Sequence, residues 1–460
     1  VLSSAPVRHD AYPLLTYTDG QEIRSVAPAA SGRTLEVRMH LMGDGDDELV
    51  ALLCDALSDG GCAGVICDTV TRAQRIADVL ERELESVPII LTHARFIDVD
   101  RMENEERLRG CLGPKSNVHD GTRPQRLVVV GTQVLEQSLD IDFDVMVTDI
   151  APIDLLMQRI GRLHRHLRGQ NGSERPPHLR TANCYLRGIG GWEGGIPRFD
   201  RAVERVYYRA SLLEALAVLG MEGPGAVCDL SLPNDIARLV RRAYSDDVAG
   251  SLPASWGEIY ATACKKRSED RFHKQERAAT CCIQSVYEMV RDESALVDWY
   301  ELRTMASPLA GHDEDRGQRA MRDTQETVEV LLFELRDSLI YLLPWVGDEK
   351  RGVSCGAEVP IGEIPPDDVA RVAAQSAVRL PLSLCRPERI DELIDELEDS
   401  CGNYVGAWQE SPWLAGRLAL LLERREEGVF ETTVLGHCVR YTRERGLEVE
   451  KGEDEGKYEK

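Results

Sequence analysis

Residues 127–168, LVVVGTQVLEQSLDIDFDVMVTDIAPIDLLMQRIGRLHRHLR, decide the fold of this chain. The apolar runs Leu127–Val130 and Val145–Val147 each predict a short strand that is buried on both faces. Their connection is too long for a hairpin, so we expect them to be neighbours in a parallel sheet. Polar residues gather after each strand, in Thr132–Asp140 and Gln158–Arg168. Ligands bind at the carboxyl ends of such strands, so the sequence predicts a binding site there.

The second polar block carries the most informative spacing, QRIGRLHR from Gln158 to Arg165. In a helix, Arg162 and Arg165 lie three residues apart and share one face, so two forked guanidinium groups can converge on one anion. Gly161 leaves room for close approach. An isolated RxxR is more often a solvated basic face. The preceding strand and the TQVLEQSLD block favour the anion site.

Residues 65–166 resemble the second RecA-like lobe of a superfamily 2 helicase. Within them, GTQVLEQSLDIDFDVMVTDIAPIDLLMQRIGRLHRH is similar to motifs V and VI of the CRISPR-associated helicase-nuclease of type I interference systems. Helicases in general share QxxGRxxR, whereas EQSLDIDFD followed by APIDLL is typical of this family. The resemblance implies an α/β fold with a RecA-like parallel-sheet helicase lobe, a helical linker and a small α+β carboxyl-terminal accessory domain.

The chain divides, on this resemblance and on its composition, into five segments. They are a connecting segment at 1–33, the second RecA-like lobe with motifs IV to VI at 34–166, a mostly helical linker at 167–300, the accessory domain at 301–447 and an acidic disordered tail at 448–460. Ala182–Leu186 is a candidate last strand of the lobe. The apolar stretch Val328–Leu343 is either strand or helix, because its periodicity does not separate the two.

The resemblance also assigns roles around a nucleotide. Arg162 and Arg165 would reach the β- and γ-phosphates of ATP as charge develops there, and Gln158 would orient the attacking water or one of these arginines. Finger arginines accelerate related phosphoryl transfers by about 10³- to 10⁵-fold. Gln137, Asp140 and Gly161 would line the nucleotide side of the cleft between the two lobes. The roles nearest the phosphates therefore all fall in motifs V and VI.

Nucleic-acid contacts are expected at three further places. Thr69 and Arg72 begin the helix of motif IV, where free N–H groups favour a phosphate. Arg95 would contact phosphate, with His93 or Phe96 near the DNA backbone or bases, where stacking contributes roughly 1–3 kcal/mol per base.

In motif V, Thr132 and Gln133 would contact DNA. Structural alternatives exist for three of the seven predicted contacts. Thr69 is equally a helix N-cap, and a lone histidine after a strand, such as His93, is more often a satisfied structural residue. The Thr132 hydroxyl can instead bond the N–H of the next turn.

The composition bounds these roles. The 460 residues carry a net charge of −24, which argues against a broad basic surface for nucleic acid. Arg159, Arg162, Arg165 and Arg168 crowd one block, which suggests a local basic channel instead. Thirteen cysteines without a CxxC pair fit reduced thiols, and no apolar run reaches 18 residues. We therefore expect a cytoplasmic protein without membrane contact and without a metal site of its own.

Two motifs of a complete helicase are absent from the sequence: no GxxxxGK[ST] and no DExH occurs. The resemblance then implies that ATP with Mg²⁺ is bound mainly by a first lobe outside this sequence, and that the nuclease with its metal ions is outside it too. The expected partners are that amino-terminal half of the enzyme, single-stranded DNA within an R-loop, and the RNA-guided surveillance complex (Cascade). This chain alone is an incomplete active site.

The function expected is part of an ATP-dependent 3′→5′ single-strand DNA translocase that unwinds target DNA and feeds its nuclease. Two alternatives remain open. The chain could belong to another superfamily 2 RNA or DNA helicase, or it could be a non-catalytic module that docks on nucleic acid or on the surveillance complex. The absent phosphate loop fits the second alternative.

Overall fold

The computed structural model describes residues 14–18, 20–29, 32–136, 139–280 and 327–450. Within these ranges the chain forms two α/β units, each with its own apolar interior. A small exposed antiparallel hairpin, Leu15–Thr18 (β1) and Ile23–Val26 (β2), precedes them. The predicted α/β class with a parallel-sheet lobe and a carboxyl-terminal α+β domain is confirmed.

The first unit, the lobe, contains these strands and helices in chain order. The strands are Leu35–Leu41 (β3), Gly61–Ile66 (β4), Ile89–Thr92 (β5), Arg126–Gly131 (β6), Val145–Asp149 (β7), Ala182–Arg187 (β8), Ile189–Glu193 (β9), Ile196–Phe199 (β10) and Val227–Leu232 (β11). The helices are Asp46–Ala56 (α1), Val70–Glu83 (α2), Asp98–Leu112 (α3), Ile153–Ile160 (α4), Arg201–Val206 (α5), Arg209–Leu219 (α6), Asn234–Ala243 (α7) and Gly257–Thr280 (α8). Strands β9 and β10 form a separate hairpin.

The lobe's sheet runs in the order β11-β3-β8-β7-β4-β6-β5, and all its pairings except β11 with β3 are parallel. Every residue of β4 and of β7 is buried, as expected for strands covered by helices on both faces. Helix α2 covers one face with the apolar stripe Ala73, Ala77 and Leu80, none of which is exposed. The apolar runs in the sequence thus form the centre of the sheet.

Two expectations about this sheet need correction. Strands β6 and β7 are parallel but are not neighbours, because β4 lies between them: Val65 of β4 is in register with Val130 on one side and Val147 on the other. The sheet also continues past the expected boundary at residue 166. The predicted strand at Ala182–Leu186 is present as β8 and pairs with both β3 and β7.

The region expected to be a helical linker therefore supplies strands and helices to the lobe. Strand β11 pairs with β3, and helices α6 and α7 pack into the same interior as the sheet. Without β11, strand β3 would be an edge strand, with the backbone groups on the side away from β8 unpaired. The later part of the expected linker, 281–300, lies outside the described residues.

The second unit, the accessory domain, has these elements in chain order. The strands are Glu329–Arg336 (β12), Leu339–Tyr341 (β13), Glu358–Val359 (β14), Ala377–Arg379 (β15), Leu418–Glu426 (β16), Val429–Val434 (β17), His437–Thr442 (β18) and Gly446–Glu450 (β19), and the helices are Asp367–Ala373 (α9) and Ile390–Val405 (α10). The apolar stretch near residue 330 is thus a strand hairpin. Residues 448–450, predicted in the acidic tail, belong to β19, and 451–460 lie outside the described residues.

The accessory domain joins the lobe through a buried polar cluster on α3. The Tyr441 hydroxyl donates to Asp100 Oδ2 at 2.5 Å, and Trp345 Nε1 donates to Asp100 Oδ1 at 2.8 Å. The backbone N–H of Ile97 donates in turn to the Tyr441 hydroxyl at 3.1 Å. Asp100 is 2% exposed and Tyr441 is fully buried, so both units contribute to one closed interface.

Asp100 should make the stability of this interface depend on pH. Burial raises the pKa of Asp100 to about 6, although the bonds from Tyr441 and Trp345 oppose the shift. The unfolded value is about 3.9, so the stabilising contribution of the protonated group is complete below about pH 4 and is lost as the pH rises through 6. We expect the free energy of unfolding of the native chain, minus that of Asp100→Asn, to fall by about 3 kcal/mol from pH 4 to pH 7.

Chemical denaturation at several pH values measures this difference. Glu106→Gln, at an exposed position of the same helix, is the control and should keep the pH dependence of the native chain. A native-minus-Asn difference that stays constant from pH 4 to pH 7 would contradict the assignment.

Candidate nucleotide and nucleic-acid site

The predicted site residues follow the carboxyl ends of parallel strands. Strands β7, β4, β6 and β5 lie side by side in that order, so the segments after them meet at one edge of the sheet. Motif VI follows β7 through α4, the motif IV residues follow β4, motif V follows β6, and the segment 93–97 follows β5. This edge is where open α/β sheets bind ligands.

Arg162 and Arg165 lie together at this edge, and both are half-buried. Arg162 donates from Nη2 to the carbonyl of Glu136 at 2.7 Å and from Nε to that of Leu135 at 3.3 Å. Arg165 donates from Nε to Asp140 Oδ1 at 2.5 Å. Burial, and next the charge of Arg165, lower the pKa of Arg162. The two guanidinium groups are thus close enough to repel each other, and an anion between them would relieve the repulsion.

The other residues predicted to lie near the nucleotide differ from one another in exposure and in hydrogen bonding. Asp140 is exposed, and the hydrogen bond from Arg165 lowers its pKa. Gln158 is an exposed side chain on α4, without a hydrogen bond inside the described ranges. A Cβ at Gly161 would come within 3.1 Å of the Gln158 carbonyl, so a side chain there would crowd the end of α4, and the place of Gly161 beside the nucleotide stays a prediction. Gln137 lies outside the described residues.

Arg159, which the sequence placed in a basic block, is fully buried behind this edge. Its guanidinium donates from Nε to Glu136 Oε1 at 2.7 Å, from Nη1 to the Thr148 hydroxyl at 2.9 Å and to the Asp149 carbonyl at 2.9 Å, and from Nη2 to Asp68 Oδ1 at 3.1 Å and to the Tyr207 hydroxyl at 3.0 Å. Burial opposes its charge, but Asp68 and Glu136 among its neighbours raise the pKa of Arg159 overall. Arg159 therefore ties the end of β7 to the segments that follow β4, β6 and α5.

Arg168 is also buried, so fewer arginines of this block are available to a basic channel than the sequence suggested. Its Nε donates to Asp142 Oδ2 at 2.7 Å, and its other nitrogens donate to backbone carbonyls. Arg175 and Arg123 pair with Asp142 and with Asp144 in the same cluster. Of the four arginines in the block, only Arg162 and Arg165 remain partly accessible to a ligand.

Thr69 and Arg72 have internal partners. The Thr69 hydroxyl accepts from the N–H of Arg72 at 3.3 Å, which is the helix-cap alternative. The Arg72 guanidinium binds Asp149 through two bonds, of 2.9 and 3.1 Å, and also pairs with Asp44. Burial lowers the pKa of Arg72, but Asp149 and Asp44 raise it overall. A phosphate contact by Arg72 stays a prediction that would require this pairing to open.

Thr132 and Gln133 differ in what they offer a nucleic acid. Thr132 is 2% exposed, and its hydroxyl does not cap the 3-10 turn Gln133–Leu135, so the structural alternative is wrong for it. Gln133 is half-buried, and its Nε2 donates to the Asp68 carbonyl at 3.1 Å and to the Tyr207 hydroxyl at 3.3 Å. Its side-chain nitrogen is thus held by the protein.

The expectation that His93 and Phe96 face DNA is wrong in this structure. His93 is fully buried and Phe96 is 1% exposed, and their rings stack at 4.5 Å. His93 Nε2 bonds the carbonyl of Arg445 in the accessory domain, at 3.1 Å. Burial lowers the pKa of His93 to about 3, and the Arg95 charge acts in the same direction. The turn between β18 and β19 contacts the His93 ring, and because both rings are buried neither can stack on a base.

Arg95 lies between His93 and Phe96 in sequence but, unlike them, is partly accessible. It is half-buried, and within the described ranges its guanidinium has no carboxylate or hydrogen-bond partner. Burial alone lowers the pKa of Arg95 to about 10, without an opposing negative charge. A desolvated cation without a counter-charge is unfavourable, so this position suits a phosphate. Of the predicted nucleic-acid residues, Arg95 has the geometry most suited to one.

Sequence reasoning missed three members of this edge: Asp68, Asp149 and Tyr207. Asp68 and Asp149 end or follow strands that were predicted, so their position at the carboxyl edge was a usable signal. Asp68 is 2% exposed with Oδ2 unbonded, and burial raises its pKa. Tyr207 lies some forty residues beyond motif VI, and no local pattern indicated its role.

The donor set of this edge suits phosphate better than a divalent cation. Its carboxylates, Asp68, Glu136, Asp140 and Asp149, are each paired with an arginine. In the part of the chain that the structure describes, no cluster of three or more His, Cys, Asp or Glu side chains could hold a metal ion.

None of the helices in the described ranges is long and apolar enough to span a bilayer.

Two family models match the chain. The model described as "CRISPR-associated nuclease/helicase Cas3, C-terminal" matches residues 59–168, which contain the edge of the sheet just described. The model described as "Cas3 C-terminal domain" matches residues 322–447, the accessory domain.

Similar proteins extend the match over nearly the whole chain. It is 30% identical over 450 residues to the CRISPR-associated nuclease/helicase Cas3 of Streptococcus thermophilus, covering 97% of the chain and 44% of that protein. It is 28% identical over 441 residues to the CRISPR-associated endonuclease/helicase Cas3 of Thermus thermophilus, covering 86% of the chain and 43% of that protein. The chain thus spans less than half the length of the curated relatives that it matches.

Solved structures agree on the fold. One described as a CRISPR-associated protein superposes with a TM-score of 0.75 at 27% identity, over 98% of this chain and 45% of that one. T. fusca Cas3-ATP superposes with a TM-score of 0.71 at 21% identity, over 97% of this chain and 47% of that one. A chain in a structure of a CRISPR RNA-guided surveillance complex, pre-nicking, gives 0.67 at 21% identity, over 95% and 48%.

Gly446 tests whether the accessory domain shields His93. It has φ +68°, and a Cβ there would come within 2.6 Å of the Arg95 carbonyl and 2.9 Å of His93 Cε1. Gly446→Ala adds the strain of a left-handed residue, about 1–2 kcal/mol, and must also push the two units apart. We expect the pKa of His93 to rise from about 3 toward its ordinary value near 6.5 as the ring becomes hydrated.

An NMR titration of the histidine ring protons measures this pKa. The matched control is Gly428→Ala, which has a similar φ of +79° but no heavy atom within 4 Å of the new Cβ. Gly428→Ala should add a comparable backbone strain energy and leave the His93 pKa unchanged. Equal effects of the two substitutions on His93 would show that contact at Gly446 does not keep the ring buried.

Proposed function

The chain belongs to the CRISPR-associated nuclease/helicase family, and from this premise we propose that it forms the second helicase lobe and accessory domain of an ATP-dependent 3′→5′ single-strand DNA translocase. The translocase unwinds target DNA during type I interference and feeds the strand to its nuclease. A first lobe, outside this sequence, holds the phosphate loop and the carboxylates for Mg²⁺. The chain supplies arginines and part of the DNA channel, and completes the active site only with that lobe.

The paired guanidinium groups of Arg162 and Arg165 carry this proposal. They are half-buried, adjacent and held at the ligand edge by the carbonyls of Leu135 and Glu136 and by Asp140. With the lobes closed, the two forks neutralise the charge that grows on the β- and γ-phosphates, and the fixed carbonyl partners keep Arg162 from reorganising during the step. Exposed Gln158 on the same helix orients the attacking water.

The DNA side of the same edge is assigned to Arg95 and Thr132, and to Gln133 once DNA displaces the hydrogen bonds of its Nε2. Arg95 offers a desolvated guanidinium with no counter-charge in the part of the chain that the structure describes, which suits a backbone phosphate. The Thr132 hydroxyl at the end of β6 does not cap the following turn, but the side chain is 2% exposed, so its contact with DNA requires the segment after β6 to move. Neither Arg95 nor Thr132 reads a base edge, as expected for an enzyme that must move along any sequence.

The partners follow from the same proposal. The amino-terminal half of the enzyme faces the motif edge, single-stranded DNA from an R-loop runs past Arg95, and the RNA-guided surveillance complex delivers that DNA. Family membership supports these partners, and the net charge of −24 supports a small local DNA contact over a broad one.

Arg162→Lys in the full-length enzyme, or in a complex of this chain with its other half, tests the proposal. Lysine keeps the charge but loses the fork, so we expect DNA-stimulated ATP hydrolysis to fall by about 10³-fold. Arg198→Lys, at a 70% exposed arginine of β10, is the matched control and should leave the rate unchanged. Normal hydrolysis by Arg162→Lys would reject the finger role. A purified complex that never hydrolyses ATP would favour the docking module instead.

Arg95→Gln tests the DNA contact. Loss of one phosphate contact should weaken single-stranded DNA binding equally for all sequences and reduce the slope of log K against log salt by about 0.7. Fluorescence anisotropy at several salt concentrations measures both quantities. Arg101→Gln, at a half-buried arginine paired with Asp98, should change neither quantity. An unchanged salt slope for Arg95→Gln would remove Arg95 from the DNA channel.

A further inference from the structure

Tyr207 lies between helices α5 and α6, outside every motif discussed above, yet its hydroxyl reaches the centre of the site. The oxygen accepts from Arg159 Nη2 at 3.0 Å and from Gln133 Nε2 at 3.3 Å. The ring is half-buried against the interior of the lobe, which fixes the hydroxyl in place. One side chain thus joins a residue of motif V to a residue of motif VI.

Both donors are otherwise committed to groups at the same edge. Gln133 Nε2 also donates to the Asp68 carbonyl at 3.1 Å. The Arg159 guanidinium uses its other donors on Glu136, Thr148, Asp149 and Asp68. Because neither Arg159 nor Gln133 can shift without losing a bond in a buried site, a movement at one is felt at the other.

The connection continues from Arg159 to Arg162. Arg159 Nε holds the Glu136 side chain at 2.7 Å, and the Glu136 carbonyl accepts from Arg162 Nη2 at the same distance. Glu136 therefore places the guanidinium that we assign to the nucleotide phosphates. A path of direct hydrogen bonds runs from Gln133 through Tyr207, Arg159 and Glu136 to Arg162.

The next residue, Tyr208, fastens the same junction on its other side. Its hydroxyl accepts from Lys274 Nζ of α8 at 3.2 Å, and α8 is itself bound to α6 by the Arg267 pair with Glu214 at 2.8 Å. The dipeptide between α5 and α6 is thus held from two directions. This support explains how a loop residue can keep a fixed hydroxyl position.

We propose that Tyr207 is a positioning residue that couples nucleic-acid engagement at Gln133 to the placement of Arg162. DNA that displaces Gln133 changes one of the two bonds to the Tyr207 oxygen, and the change passes through Arg159 and Glu136 to the arginine at the phosphates. The inference rests on the proposed function, since it requires DNA and ATP to meet at this edge. Tyr207, a residue of the helical region, thereby contributes to the stimulation of ATP hydrolysis by DNA.

Tyr207→Phe in the full-length enzyme tests the coupling, because it keeps the ring and removes only the shared acceptor. The quantity to measure is the ratio of the ATP hydrolysis rate with single-stranded DNA to the rate without it, which does not depend on the folded fraction. We expect this ratio to fall about tenfold, with KM for ATP within about twofold of the native value. Tyr185→Phe, at a half-buried tyrosine of β8 that stacks on His40, is the matched control and should leave the ratio unchanged.

A double-mutant cycle supplies the second measurement. If Tyr207 acts through Gln133, the pair Gln133→Ala with Tyr207→Phe should lower the ratio no further than Gln133→Ala alone. A native ratio for Tyr207→Phe, or fully multiplicative effects in the double variant, would overturn the coupling. The proposed function fails separately, through Arg162→Lys: if that variant hydrolyses ATP normally, the motor assignment is lost whatever Tyr207 does.

Discussion

A fully buried guanidinium must have its charge and all its N–H groups satisfied, and at Arg159 this requirement organises the functional edge. The five bonds of Arg159 reach Asp68 after β4, Glu136 after β6, Thr148 and Asp149 at the end of β7, and Tyr207 of the helical region. These segments are distant in sequence. Their relative positions are fixed because any displacement would leave a buried charge or donor unpaired. Arg162 is positioned by the same network, through its hydrogen bond to the Glu136 carbonyl.

A second constraint operates at the far end of the sheet, where the accessory domain covers β5. Gln74 and His93 bond carbonyls of the β18–β19 turn, and Arg445 pairs with Asp78 and Glu81 on α2. This contact helps to bury the His93 ring, while Arg95 has no counter-charge among the described residues. The accessory domain therefore helps decide which side chains after β5 are buried, and it leaves the Arg95 guanidinium partly accessible.

The local features of the fold were predictable because they depend on neighbours in sequence. The α2 stripe and the Thr69 cap, the buried runs at β4, β6 and β7, and the pair of arginines three apart in motif VI all follow from periodicity or short spacing. The family resemblance added the lobe and the accessory domain. Strand order was not predictable, since both β6 and β7 carry the same buried pattern and nothing local shows that β4 lies between them.

The sequence by itself determined that this chain carries a parallel-sheet lobe with an arginine pair at its carboxyl edge, because strand burial and helical spacing are properties of short segments. Only the tertiary structure decided which arginines are available. Arg159 and Arg168 are buried in ion pairs, Arg72 is paired twice, and Arg162, Arg165 and Arg95 remain partly accessible. The physical reason is that the burial and ion pairing of an arginine depend on carboxylates that the fold brings to it from elsewhere in the chain. The amino-acid composition does not show which arginine pairs with which carboxylate.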